Sequence, residues 1–234
     1  SLRFMGSTRD ATNHTRFIRS GLGNVFELDQ ALGTQLAGIS IYHDTPGGGI
    51  SIDITDSPYT FIDGCRLISG AKGVSVQRSK GTRMQALLSR NNTQHGVLVS
   101  ESADVDIRQS VLWSNAVGLT VENRGSVTAR NNAVVAMAAN AVGWQRNDGP
   151  DPIRVGTLDA NYNLLWATNG AFIAELAGTH YPAGRKRYER LINWNEATGL
   201  DLQTLRTEPQ FVNPSADDFH PRSHCPCTAE KRGS

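Results

Sequence analysis

Apolar and polar residues alternate along most of this 234-residue chain in short runs, and the runs return at a nearly constant interval. The glycines that open "GNVF", "GISI", "GVSV", "GVLV", "GLTV" and "GWQR" are Gly23, Gly49, Gly73, Gly96, Gly118 and Gly143, at separations of 26, 24, 23, 22 and 25. A further unit opens near Gly170 in "NGAFIAEL". The first position after glycine holds Ile50, Val74, Val97, Leu119 and Trp144; the third holds Phe26, Ile52, Val76, Val99 and Val121. Polar residues fall between and after these, ending the runs with Glu27, Asp53, Gln77, Ser100, Glu122 and Asn147. Alternation with a period of two predicts a strand with one buried face. A second strand is expected before each glycine, as in "FIDGCRLIS", "VDIRQSVLW", "VTARNNAVV" and "ANYNLLW". Trp113 and Trp166 hold matching places in two of these, and the pattern leaves open whether they point inward or outward.

Short strands recurring every ~20–45 residues, with Asn- and Gly-rich turns between them, predict a β-solenoid. Asn and Gly tolerate the left-handed backbone that sharp corners need. Asn115 and Asn140, each three residues before a repeat glycine, are expected to stack at equivalent corners. The leucine-rich repeat has a similar period, but its L-x-x-L-x-L-x-x-N signature and helical outer segment do not recur.

These units, with Asn three residues before G-[IVL]-x-V, resemble the right-handed parallel β-helix repeats of many bacterial secreted proteins, over about residues 20 to 175. The resemblance implies an all-β fold of about six to seven coils with a short C-terminal helix or cap. It also implies an extracellular or cell-surface setting in bacteria and an association with polysaccharide. The expected organisation is an N-terminal cap or extension over 1–22, the β-helix over 23–178, a helix-containing cap over 179–222 and a disordered tail over 223–234. In the cap, "GRKRYERLINWNEATG" places Tyr188, Leu191 and Ile192 on one helical face with Gly199 as C-cap. "EPQFVNP", from Glu208 to Pro214, resembles the D-P-x-F-x-[DN]-P stretch that closes bacterial β-helices, with Glu208 in place of Asp.

Composition narrows the partners. A net charge of +1 gives no global attraction to nucleic acid or membrane, and the basic run Arg185–Arg187 reads as a solvated face. No apolar run approaches the ~18 residues of a membrane span, and no signal peptide is evident in this chain. Cys65 sits among apolar repeat residues, and Cys225 and Cys227 lack the partners of a zinc site, so no metal is expected. "YHDTPGGG", with His43 and Asp44, reads as a turn. The few residues before the first coil leave its strand edge little cover, so self-association through the solenoid ends is expected.

Candidate chemistry lies on the polar column and in one irregular turn. Glu27, Asp53, Gln77, Glu122 and Asn147 are expected to line one outer groove, where carboxylates and amides can bind hydroxyls. "NDGPDPIRVG", Asn147 to Gly156, is similar to the N-G-x-E-x-I-R-x-G of chondroitinase B-like and alginate lyases, which brings Asp148, Asp151 and Arg154 into the candidate set. In that family later coils add a catalytic Lys and Arg and carboxylates hold calcium; no matching K-S-C or R-H-G follows here. The signatures of polygalacturonases, mannuronan epimerases and pectate lyases are absent too. The sequence therefore reads as a polysaccharide-binding β-helix module without clear catalytic machinery. A polysaccharide lyase or glycoside hydrolase, with calcium as the one cofactor it would need, and a structural or interaction solenoid remain the alternatives.

Overall fold

The computed structural model describes residues 3–5, 15–147, 155–223 and 225. Three parallel sheets run the length of the molecule, and each coil contributes one strand to each in the order A, B, C. Sheets A and B have seven strands each; sheet C has eight, its last one antiparallel. A fully paired coil is Phe61–Asp63 in sheet A, Arg66–Ile68 in sheet B and Lys72–Gln77 in sheet C. Parallel pairing begins before Gly23: Thr15–Arg19 already pairs with Ile39–His43 in sheet B.

The interior is filled by stacked rows of like residues. In sheet C one inward row runs Ile52, Val74, Val97, Leu119 and Trp144; the next runs Leu28, Ile54, Val76, Val99 and Val121, with all but Leu28 wholly buried. Stacking like on like lets each coil bury its apolar face on the next, which a single coil cannot do. The repeat register departs from the glycine spacing at one place. Gly49 stacks on Gly23, whereas Gly73 aligns with Ser51, so Ile52 rather than Ile50 is the partner of Val74. Ile50 pairs instead with Lys72 at the entry to the strand. The extra residues of "TPGGG" shift the second coil by two positions, and a shift of two keeps every side chain on its own face.

Each corner carries its own ladder of small polar side chains. At the C-to-A corner Ser57, Ser79 and Ser102 accept successive backbone N–H groups at 2.8–2.9 Å. At the B-to-C corner Asn92 and Asn115 do the same at 3.0 Å, and Asn115 returns a bond to the Ser89 carbonyl. At the A-to-B corner the series is Ser110, Asn132, Asn163 and Thr204. These ladders satisfy backbone donors that the bends remove from the sheets. Asn140 does not take part: the B-to-C connection of its coil is longer, and Asn140 is exposed, accepting from Arg187.

The C-terminal end is closed in two steps. Arg185–Tyr188 adds to sheet C in reverse direction, and the helix Leu191–Thr198 follows, ending at Gly199 in the left-handed conformation. Tyr188 therefore belongs to the edge strand; the helix buries Trp194 and leaves Ile192 exposed. Trp194 packs edge-on to Tyr188 and donates to the buried Asp201 at 3.0 Å. Asp201, Thr204 and Leu205 then lay a partial further coil, with Leu205 bridging Leu164 in parallel. The chain next folds back along the outside of sheet B as an antiparallel hairpin, Phe211–Asn213 with Asp218–Pro221. Its seat settles the tryptophan question. Trp113, Val135 and Trp166 form one outward row of sheet B, and Phe211 and Phe219 pack on Trp113 with centroids 5.8 and 5.3 Å away. Phe211 is the aromatic residue of "EPQFVNP", and covering Trp113 is what it does.

Candidate functional site

The outer face of sheet C carries the polar residues that the sequence singles out, in two rows rather than one. Glu27 and Asp53 share a row with Ser75, Leu98, Thr120, Gln145, Glu175 and Arg187. Gln77, Ser100 and Glu122 stand two residues further along, in the row of Asp29 and Thr55. The cause is again the two-position shift after the second coil. Glu122 and Asn147 do meet, through a bond of 3.3 Å from Asn147 Nδ2. Asn123 bridges Glu122 to Ser100. Glu27 is exposed at the N-terminal end of its row and does not converge with Glu122. Asp148, Asp151 and Arg154 lie outside the described residues.

The middle row forms a directed hydrogen-bond chain that the sequence pattern did not reveal. Arg187 Nε donates to Glu175 Oε2 at 2.7 Å, and Gln145 Nε2 donates to Glu175 Oε1 at 2.6 Å. Thr120 Oγ1 donates to Gln145 Oε1 at 3.0 Å, and His95 Nδ1 lies 2.9 Å from Thr120 Oγ1. The Glu175 carboxylate only accepts, so it fixes the Gln145 amide; the amide then fixes the Thr120 hydroxyl. Because that hydroxyl gives its proton to Gln145, it accepts from His95, and His95 carries its proton on Nδ1. Burial, reinforced by the Lys72 charge, lowers the His95 pKa to about 4, so the ring is neutral at physiological pH. Its Nε2 is then an oriented acceptor on the face.

Lys72 is the register partner of His95 one coil before it, and Asp53 lies within its field. Asp53 is half-buried; burial pushes its pKa up, opposed by a hydrogen bond from Ser75 and by Lys72. Asn24 also donates to Asp53, at 3.3 Å. At the other end Arg187 lies over the Phe172 ring, 4.7 Å from its centroid. Thr120 and Glu175 are buried and act as the fixed interior of the chain, while Asp53, His95, Gln145 and Arg187 are the half-buried polar groups that reach solvent along the solenoid axis. No group of three or more His, Cys, Asp or Glu among the described residues is placed to hold a metal ion. No helix among them is long and apolar enough to cross a membrane.

Two further features escaped the sequence reading. Arg146 occupies the inward row of sheet C between Val121 and Leu176, where other coils place aliphatic residues. His43, read as part of a turn, is buried at the end of a sheet B strand with Nε2 3.3 Å from Ser51 Oγ, while Asp44 beside it is exposed. A buried Ser–His contact offers a substrate no approach, and the ring packs into the space left by Gly48 and Gly70, where a Cβ would stand 3.1–3.4 Å from it.

No curated protein matches the chain. Residues 19–134 match the family model described as right handed beta helix region. That span covers the middle coils, and the strands on both sides continue the same three sheets. The chain folds as a right-handed parallel β-helix.

Proposed function

We propose that this chain is a polysaccharide-binding β-helix module whose ligand lies along the outer face of sheet C. The observation that carries the reading is the oriented chain ending at His95. It orients Nε2 within the field of Lys72, with Asp53 in the row of Thr120 and with Glu122 and Asn147 in the row beyond. Sugar hydroxyls need both donors and acceptors in fixed positions, and side chains already locked by their neighbours lose little entropy on binding. Coils are spaced ~4.8 Å apart, so side chains of the row succeed one another along the direction in which a linear glycan extends. Such a module serves outside the cell or at its surface.

Binding is favoured over catalysis by the same residue. A histidine whose conjugate acid has a pKa near 4 is a weak proton acceptor at neutral pH, far from the matched base that β-elimination uses. The test is calorimetry of the chain against a panel of neutral and uronic-acid oligosaccharides. At least one should bind, and Lys72→Met and Glu122→Gln should each weaken it by about tenfold, the worth of one charge-assisted hydrogen bond. Silence across the panel would leave the structural-solenoid alternative. Appearance of unsaturated uronate absorbance would establish the lyase alternative instead.

A further inference from the structure

The C-terminal hairpin does not lie flat on sheet B. Between it and the A-to-B corner is a cleft in two chambers, of about 680 and 380 Å³, which meet at Gln109, Val111, Phe219 and Pro221. Phe211 and Phe219 wall the larger chamber, and Ala133 and Leu164 line it. The smaller chamber is lined by Leu88 and, at its far end, by Arg66 and Asp217.

These residues are not scattered. Arg66, Leu88, Val111, Ala133 and Leu164 are successive partners in one outward row of sheet B, one per coil. The row is therefore a cation followed by four apolar steps. From Leu88 to Leu164 it runs about 14 Å, three interstrand spacings. An outward row that is apolar over four coils is unusual for a sheet face in water, where alternation should give polar residues. The hairpin covers part of it but leaves an open space of the size that small-molecule sites have.

Charge decides what fits. Asp217, which also lines the smaller chamber, is held by Arg90, with Nε and Oδ1 2.6 Å apart in charge contact without hydrogen-bond alignment. Asp218 accepts from His220 Nδ1 at 2.6 Å. Among the described residues the Arg66 guanidinium has no ion pair or hydrogen bond, although it lies in the field of Asp218. A half-buried guanidinium without a bonded counter-ion among the described residues, at the end of an apolar slot, matches a ligand with a carboxylate at one end of an apolar body.

We propose that the cleft between the C-terminal hairpin and sheet B binds an amphipathic carboxylate of medium chain length. Its head group sits at Arg66, and its apolar chain lies over Leu88, Val111, Ala133 and Leu164 beneath Phe219. The site is separate from the polar face of sheet C and does not depend on that face binding glycans.

The experiment is calorimetric titration of the full chain with decanoate below its micellar concentration, and with 1-decanol as the uncharged comparison. Decanoate should bind, and 1-decanol should bind at least about tenfold more weakly, the loss of one charge-assisted contact. Arg66→Gln should weaken decanoate by a similar factor while leaving 1-decanol unchanged. Ala133→Phe, which fills the larger chamber, should abolish binding of both, with circular dichroism confirming the fold of each variant. The proposal is overturned by absence of decanoate binding to the native chain, by equal affinity for the two probes, or by binding that Arg66→Gln leaves unchanged. Should Ala133→Phe not fold, the Arg66→Gln comparison alone decides.

Discussion

Asn163→Ala tests whether the corner ladders hold the coils together. Asn163 is 2% exposed, and its Oδ1 accepts from both the backbone N–H and the side-chain amide of Asn132, at 3.0 and 3.1 Å. Its own amide donates to the Ala129 carbonyl at 3.0 Å and reaches Asp201 Oδ1 at 3.4 Å. Alanine removes the acceptor and leaves the buried backbone N–H of Asn132 without a partner, while the Asn132 side-chain amide keeps its bond to the Ile107 carbonyl at 3.0 Å. Ala129 retains Arg130 as a donor, and Asp201 retains Trp194 and Thr204, so neither is stranded. A buried donor left unpaired costs about 1–3 kcal/mol, and the loss is expected in that range. The assay is equilibrium urea unfolding followed by circular dichroism, with Gln109→Ala as the control. Gln109 occupies an A-to-B corner on the surface, and its replacement should change stability by less than about 0.5 kcal/mol. A loss below about 1 kcal/mol for Asn163→Ala, or one equal to the control, would refute the ladder argument.

Two other perturbations follow from the same geometry. His95 has its pKa lowered from 6.5 to about 4, so the folded state favours the neutral ring: the stabilisation is complete above pH 6.5 and is lost as the pH falls toward 4. The shift corresponds to about 3 kcal/mol. His95→Gln should therefore flatten the fall in urea midpoint across that window, and the native imidazole should titrate near pH 4 by NMR; a midpoint near 6.5 would contradict the burial account. Gly118→Ala places a Cβ 2.5 Å from the Gly143 carbonyl oxygen and 2.8 Å from Val134, and should cost about 3 kcal/mol by overpacking. Gly170→Ala meets nothing within 4 Å at φ +76° and should cost about 1–2 kcal/mol from backbone strain alone; equal losses at the two sites in thermal unfolding would rule out the close-approach explanation.

The fold was legible because stacking repeats the same physical demand once per coil. Val74, Val97 and Leu119 sit inward because each needs the same neighbour above and below. What glycine spacing could not convey is which glycines stack. Gly23 and Gly49 serve a left-handed entry, at φ +130° and +152°, whereas Gly73, Gly96, Gly118 and Gly143 leave room for the next coil's carbonyl. Both uses look alike in sequence, and the single polar column became two rows for that reason. The His95–Glu175 chain was hidden differently. Its members come from four coils, and Thr120 or Gln145 alone is an ordinary surface residue. The apolar row on sheet B was also invisible, because Leu88 and Leu164 read as core until the hairpin shows that they are roofed from outside.

The reversed strand Arg185–Tyr188 has a consequence beyond closing the core. Sheet C grows by parallel addition until this strand, which runs the other way and shows Arg185 and Lys186 to solvent. A second molecule's first coil would meet opposite polarity and positive charge there, so the last rung acts as a stop. Open head-to-tail fibres need two complementary ends. The reversed strand therefore gives sheet C a terminal edge that does not repeat the parallel edge by which its coils grow.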